Sequence, residues 1–379
     1  MIPLSLYIHV PWCEKKCPYC DFNSHLSKEI VDQREYINAL INDLKADLES
    51  YGPSLQDRKI QSIFIGGGTP SLFDPDSFDF LLAEVKKITP LAKDIEITLE
   101  ANPGSSETSK FIGFYQAGIN RLSIGVQSYN PIHLSALGRV HNSNEAINAA
   151  QYARTAGFKN FNLDLMFGLP EQTLEDCLSD VQQAIELNPT HLSCYQLTIE
   201  PNTLFHHHPP ITPNDDELWD MQTALQAELS NNNFQQYEVS AYSKPNKQCR
   251  HNLNYWQFGD YLGIGAGAHG KITNKTGAVN RYWKIKHPTT YLKKDSKVGA
   301  RNSVSKNQIT FEFMLNALRL TDGFDYSIFT QRTGLSTDTI QPLIDKHIDL
   351  GLISAENTKI TPTARGKQLL NQMLEDYLP

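Results

Sequence analysis

The stretch Leu6-Tyr-Ile-His-Val-Pro-Trp-Cys-Glu-Lys-Lys-Cys-Pro-Tyr-Cys20 runs from an apolar, β-prone segment straight into three thiols at positions 13, 17 and 20. A strand ending in a tight loop that carries Cys13, Cys17 and Cys20 offers three sulfur ligands to one point. The other cysteines, Cys177, Cys194 and Cys249, are scattered through the 379 residues, so the set of six is no disulfide framework. Clustered thiols of this kind point to metal binding rather than oxidation. Three thiolates can hold three irons of a cubane cluster and leave the fourth iron without a protein ligand, which is an open position for chemistry. Zinc is the alternative, with His9 or His25 as fourth ligand. Zinc sites more often use paired C-x-x-C hooks and a second hook is missing here, so the spacing favours iron while leaving zinc open.

Outward from this loop, β-rich runs recur at Leu4–Val10, Ile60–Ile65, Ile95–Glu100, Arg121–Val126, Asn160–Met166 and His191–Ile199. Segments of helical periodicity such as Glu29–Leu48 and Glu175–Leu187 lie between them. That alternation predicts an α/β fold of parallel strands joined by helical crossovers. Six units are too few for an eight-fold barrel, so the expectation is a partial (β/α)6 barrel. The polar positions Gly66–Ser71, Glu100–Pro103, Gln127, Asp164 and Glu200–Pro201 fall at or just after strand ends, where parallel α/β folds place their ligands.

Composition narrows the function classes. With 40% hydrophobic, 10% aromatic and 20% charged residues, the chain has the make-up of a folded protein and not of a disordered or fibrous one. The 34 basic residues stand against 42 acidic ones, a net charge of −8, and no basic block concentrates the minority sign. Sequence-independent nucleic-acid binding, which needs a cationic surface, is therefore not expected. No apolar run approaches the roughly 20 residues that cross a bilayer, and no signal-peptide pattern opens the chain. The expected location is the cytoplasm, with peripheral membrane association and dimerisation left open.

The region from about Pro209 to Asn307 reads as less regular, rich in Tyr, Asn, Gly and Lys. Beyond it, helical patterns at Phe311–Leu320, Asp325–Gly334, Thr339–Leu350 and Ala364–Tyr377, with a turn-rich stretch between the last two, predict a small helical, winged-helix-like domain. Without a basic helix face its expected role is structural.

The signature C-x-x-x-C-x-x-C, the run from Leu6 to Cys13 and the continuation Cys20-Asp-Phe-Asn-Ser resemble the radical SAM superfamily, in its branch of proteins like the oxygen-independent coproporphyrinogen III oxidase. The likeness extends to about Gly270. It implies a [4Fe-4S] cluster on Cys13, Cys17 and Cys20, with the fourth iron chelated by the amino and carboxylate groups of S-adenosylmethionine (SAM), whose reductive cleavage is the cofactor's own chemistry. Gly66-Gly67-Gly68-Thr69-Pro70 matches the family's glycine motif, where backbone without Cβ atoms approaches the methionine amino group. A phosphate loop would need G-K-[ST], which is absent. Glu100, Gln127, Arg139 and Asp164 match the remaining cofactor positions. The carboxylates suit the ribose hydroxyls and Arg139 the methionine carboxylate, while Tyr7 and Tyr19 are expected beside the cluster and adenosine. On this resemblance the chain divides into a core over 1–235, an irregular α+β extension over 236–304 and a helical C-terminal domain over 305–379.

Two departures separate this chain from the oxidase. The enzyme carries a further cysteine two residues after the third ligand, where Phe22 stands here, and it has an N-terminal extension before the first strand. His251-Asn-Leu-Asn-Tyr255 instead matches the H-N-x-x-Y motif of the haem-chaperone branch. In a helix both ends of the motif share one face, and imidazole and phenolate are both axial ligands of haem iron. The implied function is a chaperone that binds haem and passes it to haem-requiring proteins such as respiratory enzymes. Coproporphyrinogen III decarboxylation, or radical chemistry on another substrate, is the alternative, and no catalytic residue is assigned. His206-His-His208 reads as an exposed loop. Gly265-Ala-Gly-Ala-His-Gly270 fits G-x-G-x-x-G by letter without a βαβ unit around it. Cys249 reads as a buried thiol.

Overall fold

The computed structural model describes residues 1–26, 32–105 and 108–379. Leu4–Val10 forms strand β1 within a twelve-stranded sheet. On one side of it follow β2 (Ile60–Gly67), β3 (Leu91–Ala101), β4 (Arg121–Gln127), β5 (Phe161–Phe167) and β6 (His191–Gln196), each parallel to the one before. Leu6, Ile8, Ile63, Ile65, Leu99, Leu122, Ile124 and Leu163 are buried, as expected where helices cover a parallel sheet. The crossovers include α1 (Gln33–Leu55), α2 (Pro75–Ile88), α3 (Thr108–Gln116), α4 (Ser143–Thr155) and α5 (Leu174–Glu186). Helix α1 was expected from Glu29. Positions 27–31 lie outside the described residues, and the described helix starts after its cap Asp32, whose side chain accepts from Glu35 N. Helices α4 and α5 open on reciprocal capping boxes, Asn142 with Glu145 and Thr173 with Asp176.

The stretch 209–307 departs from expectation. It is ordered into α6 (Asp215–Asn231), β7 (Gln235–Glu238), β8 (Ala241–Ser243), α7 (Arg250–Trp256), β9 (Asp260–Ile264), β10 (His269–Thr273), β11 (Val279–Lys284) and β12 (Val298–Ser303), with a further helical turn at Pro288–Lys293. Strand β9 pairs parallel with β1 on its free side and adds another parallel strand to the six expected. Strands β10, β11 and β12 extend that edge antiparallel, while β8 and β7 extend the opposite edge beyond β6. The sheet therefore ends at β12 and β7 and remains an open barrel. Composition concealed this order because polar letters are buried. Lys284 is fully buried in β11 and salt-bridged to Asp43 at 2.6 Å and Asp47 at 2.7 Å on α1.

A second apolar core holds the C-terminal part, with α8 (Lys306–Ala317), α9 (Tyr326–Thr333), α10 (Gln341–Asp349) and α11 (Leu370–Glu375). The expected turn-rich stretch is a hairpin of β14 (Ile353–Glu356) and β15 (Lys359–Pro362), joined by β13 (Phe324–Asp325) into a three-stranded sheet. Phe258 and Val279 from the preceding region enter this core beside Phe313, so the C-terminal helices rest on the extension.

Candidate functional site

The cysteine loop leaves β1 at Pro11 and is closed at its base, where Trp12–Cys13 pairs with His25–Leu26 and His25 N donates to Pro11 O at 2.7 Å. Within it Cys20 N donates to Cys17 O at 3.2 Å, and none of the three thiols is in a disulfide among the described residues. The loop is pinned elsewhere by Asn23, whose amide donates to Ala266 O and Lys286 O, each at 2.9 Å. Burial pushes the thiols of Cys13 and Cys20 up, which disfavours thiolates at this place unless a cation stands against them.

The glycine run after β2 lies against the root of this loop. Gly68 N donates to Val10 O at 2.8 Å and Thr69 N to Trp12 O at 2.7 Å. A Cβ at Gly68 would stand 2.4 Å from Trp12 O, and Gly67, at φ +119°, would drive one 2.5 Å from the His9 ring. Only glycine fits this approach of two backbones. Gly67 N also donates to Glu100 Oε2 at 3.0 Å, which ties the run to the end of β3.

Along the remaining strand ends, Asp164 accepts from Ser123 Oγ at 3.0 Å and from Asn162 Nδ2 at 2.7 Å. Gln127, at φ +71° where the β4–β5 register shifts, accepts from the Tyr195 hydroxyl through its side-chain oxygen. Such an irregularity re-aims a side chain at a strand end. Arg139 donates through Nη2 to Gly125 O at 2.8 Å and through Nη1 towards Cys17 Sγ at 3.6 Å, while its buried Nε has no partner among the described residues.

These groups enclose a cavity of about 380 Å³, within the usual size of a small-molecule site. Its wall contains Cys13, Cys17, Cys20, Tyr19, Gly67, Gly68, Thr69, Glu100, Gln127, Arg139 and Asp164. Of the expected cofactor positions Tyr7 alone lies off this wall. It sits two residues deeper along β1 than His9 and shares a hydrogen bond with His9 Nδ1 at 2.9 Å. Ser123 and Tyr195 also line the cavity and were not singled out from sequence; a lone polar residue on a strand carries no signal of its own.

Burial lifts the Glu100 carboxyl to about 7, with the nearby Asp164 carboxyl adding to the rise. Between its ordinary value of 4.5 and about 7 the folded chain holds a proton that the unfolded chain has released, so this group costs stability as pH rises through that window. Glu100→Gln is expected to raise the stability of the cofactor-free protein at pH 8 by about 1–3 kcal/mol and to flatten its pH slope. Chemical denaturation of both proteins at pH 5 and pH 8 checks this; a variant no more stable at either pH would refute the assignment.

A second chamber of about 700 Å³ adjoins the first and shares Cys20, Phe22, Ser24, Gly67 and Glu100 with it. Phe22 is 61% exposed on the dividing wall. The motif helix α7 packs beneath. Tyr255 reaches the chamber wall, whereas His251 is buried behind it with both ring nitrogens engaged, Nδ1 with Ser62 Oγ at 3.1 Å and Nε2 with Tyr255 Oη at 2.9 Å. The two ends of H-N-x-x-Y thus share a helix face, and only the tyrosine meets open space there. Cys249 is wholly buried, its thiol 3.6 Å from Glu96 and pushed up to about 12. His206–His208 are exposed but occupy a short helix, Leu204–His207, and its cap rather than a loop. Of Gly265–Gly270, residues 265–268 form the connection between the antiparallel strands β9 and β10, and His269 and Gly270 open β10.

An open parallel barrel crowned by a C-x-x-x-C-x-x-C loop defines the class. Residues 7–184 match the Radical SAM superfamily and residues 304–369 the HemN C-terminal domain. The fold aligns with that of a solved coproporphyrinogen III oxidase from Escherichia coli at a TM-score of 0.82, over 99% of this chain and 90% of that one, at 22% identity. The chain is 51% identical over 376 residues to the heme chaperone HemW of Haemophilus influenzae, covering 99% of this chain and 98% of that protein. It is 49% identical to the heme chaperone HemW of Escherichia coli at the same coverage. The chain belongs to the HemW family of radical SAM proteins. Membership of the superfamily brings a [4Fe-4S] cluster and SAM, and the donor set fits them: three disulfide-free thiols on one loop face a cavity that also holds two carboxylates and a guanidinium whose Nε has no partner among the described residues.

Proposed function

We propose that this protein is a cytoplasmic haem chaperone that receives haem and passes it to haem-requiring proteins such as respiratory enzymes. Cys13, Cys17 and Cys20 would hold the cluster. Gly67, Gly68 and Thr69 would approach the methionine end of SAM, Arg139 its carboxylate, and Glu100 and Asp164 the ribose. Gln127 and Tyr19 would bound the adenosine. When bound, the cluster and SAM supply a one-electron reductive cleavage of the sulfonium bond. The chain's own contribution is to hold the donors of that cavity in place through the Gly68–Val10, Thr69–Trp12 and Asn23–Ala266 contacts.

The observation that carries this reading is the pair of adjoining cavities. The second, larger one lies beyond Phe22 and is bordered by Tyr255 of the motif helix, so cargo and cofactor would sit side by side. Anaerobically reconstituted protein mixed with haem is expected to form a stable complex and, on addition of a haem-depleted respiratory enzyme, to restore that enzyme's absorption spectrum. Failure to form a complex with the cluster intact would contradict the proposal, as would conversion of coproporphyrinogen III above background.

A further inference from the structure

We infer that haem lies in the second chamber with its iron on His269 and its carboxylates on Lys286 and Lys16, and that His251 positions Tyr255 rather than ligating the metal; this rests on the haem reading above. Four imidazoles line or back this chamber, and their hydrogen bonds separate them. His9 shares Nδ1 with Tyr7 and Nε2 with Asn23 O. His251 is occupied at both nitrogens by Ser62 and Tyr255. His25 shares its ring with Asn23 Oδ1 at 3.3 Å and with the Lys286 backbone. Among the described residues no group is hydrogen-bonded to either ring nitrogen of His269, which is exposed on the chamber wall at the start of β10 and stacked 6.2 Å from Trp283. An iron ligand must offer a lone pair without first losing a partner, and His269 does so. Burial and the nearby Lys286 and Arg281 charges lower its affinity for a proton, which keeps that lone pair free.

The charges complete the picture. Lys286 and Lys16 both line the chamber and both are exposed, so they can turn onto carboxylates at its mouth. Tyr255 and Tyr261, in an edge-to-face pair 4.5 Å apart, form an aromatic wall for a flat apolar ring system. The same Asn23 that anchors the cysteine loop donates to Lys286 O, so the segment bearing this cation is tied directly to the loop.

The test is a titration of the reconstituted protein with ferric haem and, separately, with iron-free protoporphyrin, followed by absorbance and EPR. His269→Ala is expected to weaken ferric haem by about tenfold or more and to change the axial-ligand signature, while leaving iron-free porphyrin affinity within about twofold. Lys286→Glu is expected to weaken both ligands. His251→Ala should keep the parent axial signature. An unchanged haem spectrum in His269→Ala, or loss of the signature in His251→Ala alone, would overturn the assignment while leaving the haem reading intact. No haem binding by the parent protein would overturn both.

Discussion

Cys17→Ala protein, reconstituted anaerobically with iron and sulfide, is expected to retain essentially none of either, and Cys13→Ala and Cys20→Ala to behave alike. Three protein ligands are the minimum that holds a cubane with one open corner, and among the described residues no fourth thiol lines the cavity to compensate. Cys17 and Cys20 are only partly buried on a surface loop, so their replacement leaves the fold in place. Circular dichroism should match the parent, which separates loss of the site from loss of the protein. Cys249→Ala is the control. Its thiol is buried against Glu96, away from the cavity, and that variant should load the parental amount of iron. Parental iron in all three loop variants would remove the cluster from this loop.

The second large effect is structural. Lys284→Ala removes the cation that bridges Asp43 and Asp47, carboxylates that also accept from the Tyr291 and Tyr282 hydroxyls at 2.7 and 2.9 Å. Taking one partner from a buried ionic cluster leaves uncompensated charge, at a cost of about 3–5 kcal/mol. The damage should depend on pH. Burial already lifts Asp47 to about 6 with Lys284 in place. Without the lysine the Asp47 carboxyl gains further proton affinity, the folded state binds more protons than the unfolded one, and stability falls as pH rises through that range. The variant's deficit should therefore be smaller at pH 5 than at pH 8, measured as the difference in denaturation midpoints. Adding Asp43→Asn and Asp47→Asn should recover part of the loss. A deficit below about 1 kcal/mol at pH 8 would show that the cluster is not a stabilising tie between α1 and β11.

The parallel core was legible because its strands are unbroken apolar runs. Leu4–Val10 matched residue for residue, and the strands at Ile60, Arg121 and His191 start where the sequence places them. What escaped was β9. Asp260-Tyr-Leu-Gly-Ile264 is five residues long and begins on a charged group, and its partner β1 lies some 250 positions away, so no local pattern reveals the pairing. The Lys284 cluster escaped for a related reason, since a lysine in a strand reads as solvent-facing until two aspartates from another element bury it. At the site, the residues after strand ends were legible as an ordered series, and the cavity gathers Gly67–Pro70, Glu100–Asn102, Gln127 and Asp164, whereas Pro201 lines the neighbouring chamber. Tyr7 went to the neighbouring chamber because it lies deeper on β1 than the loop it was expected to serve. The geometry of His251 was the least accessible. A helix places it on the face of Tyr255, but only the fold shows Ser62 occupying its other nitrogen.

Three loop thiolates on a cubane would leave one corner of the cluster open for an amino-acid chelate. The direct measurement is EPR and electron–nuclear double resonance on the reduced cluster, with and without SAM labelled in its amino nitrogen. A changed spectrum and a new nitrogen coupling are expected, both abolished with the cluster in Cys17→Ala. Identical spectra with and without SAM, or protein that takes up zinc and no sulfide, would contradict the open corner.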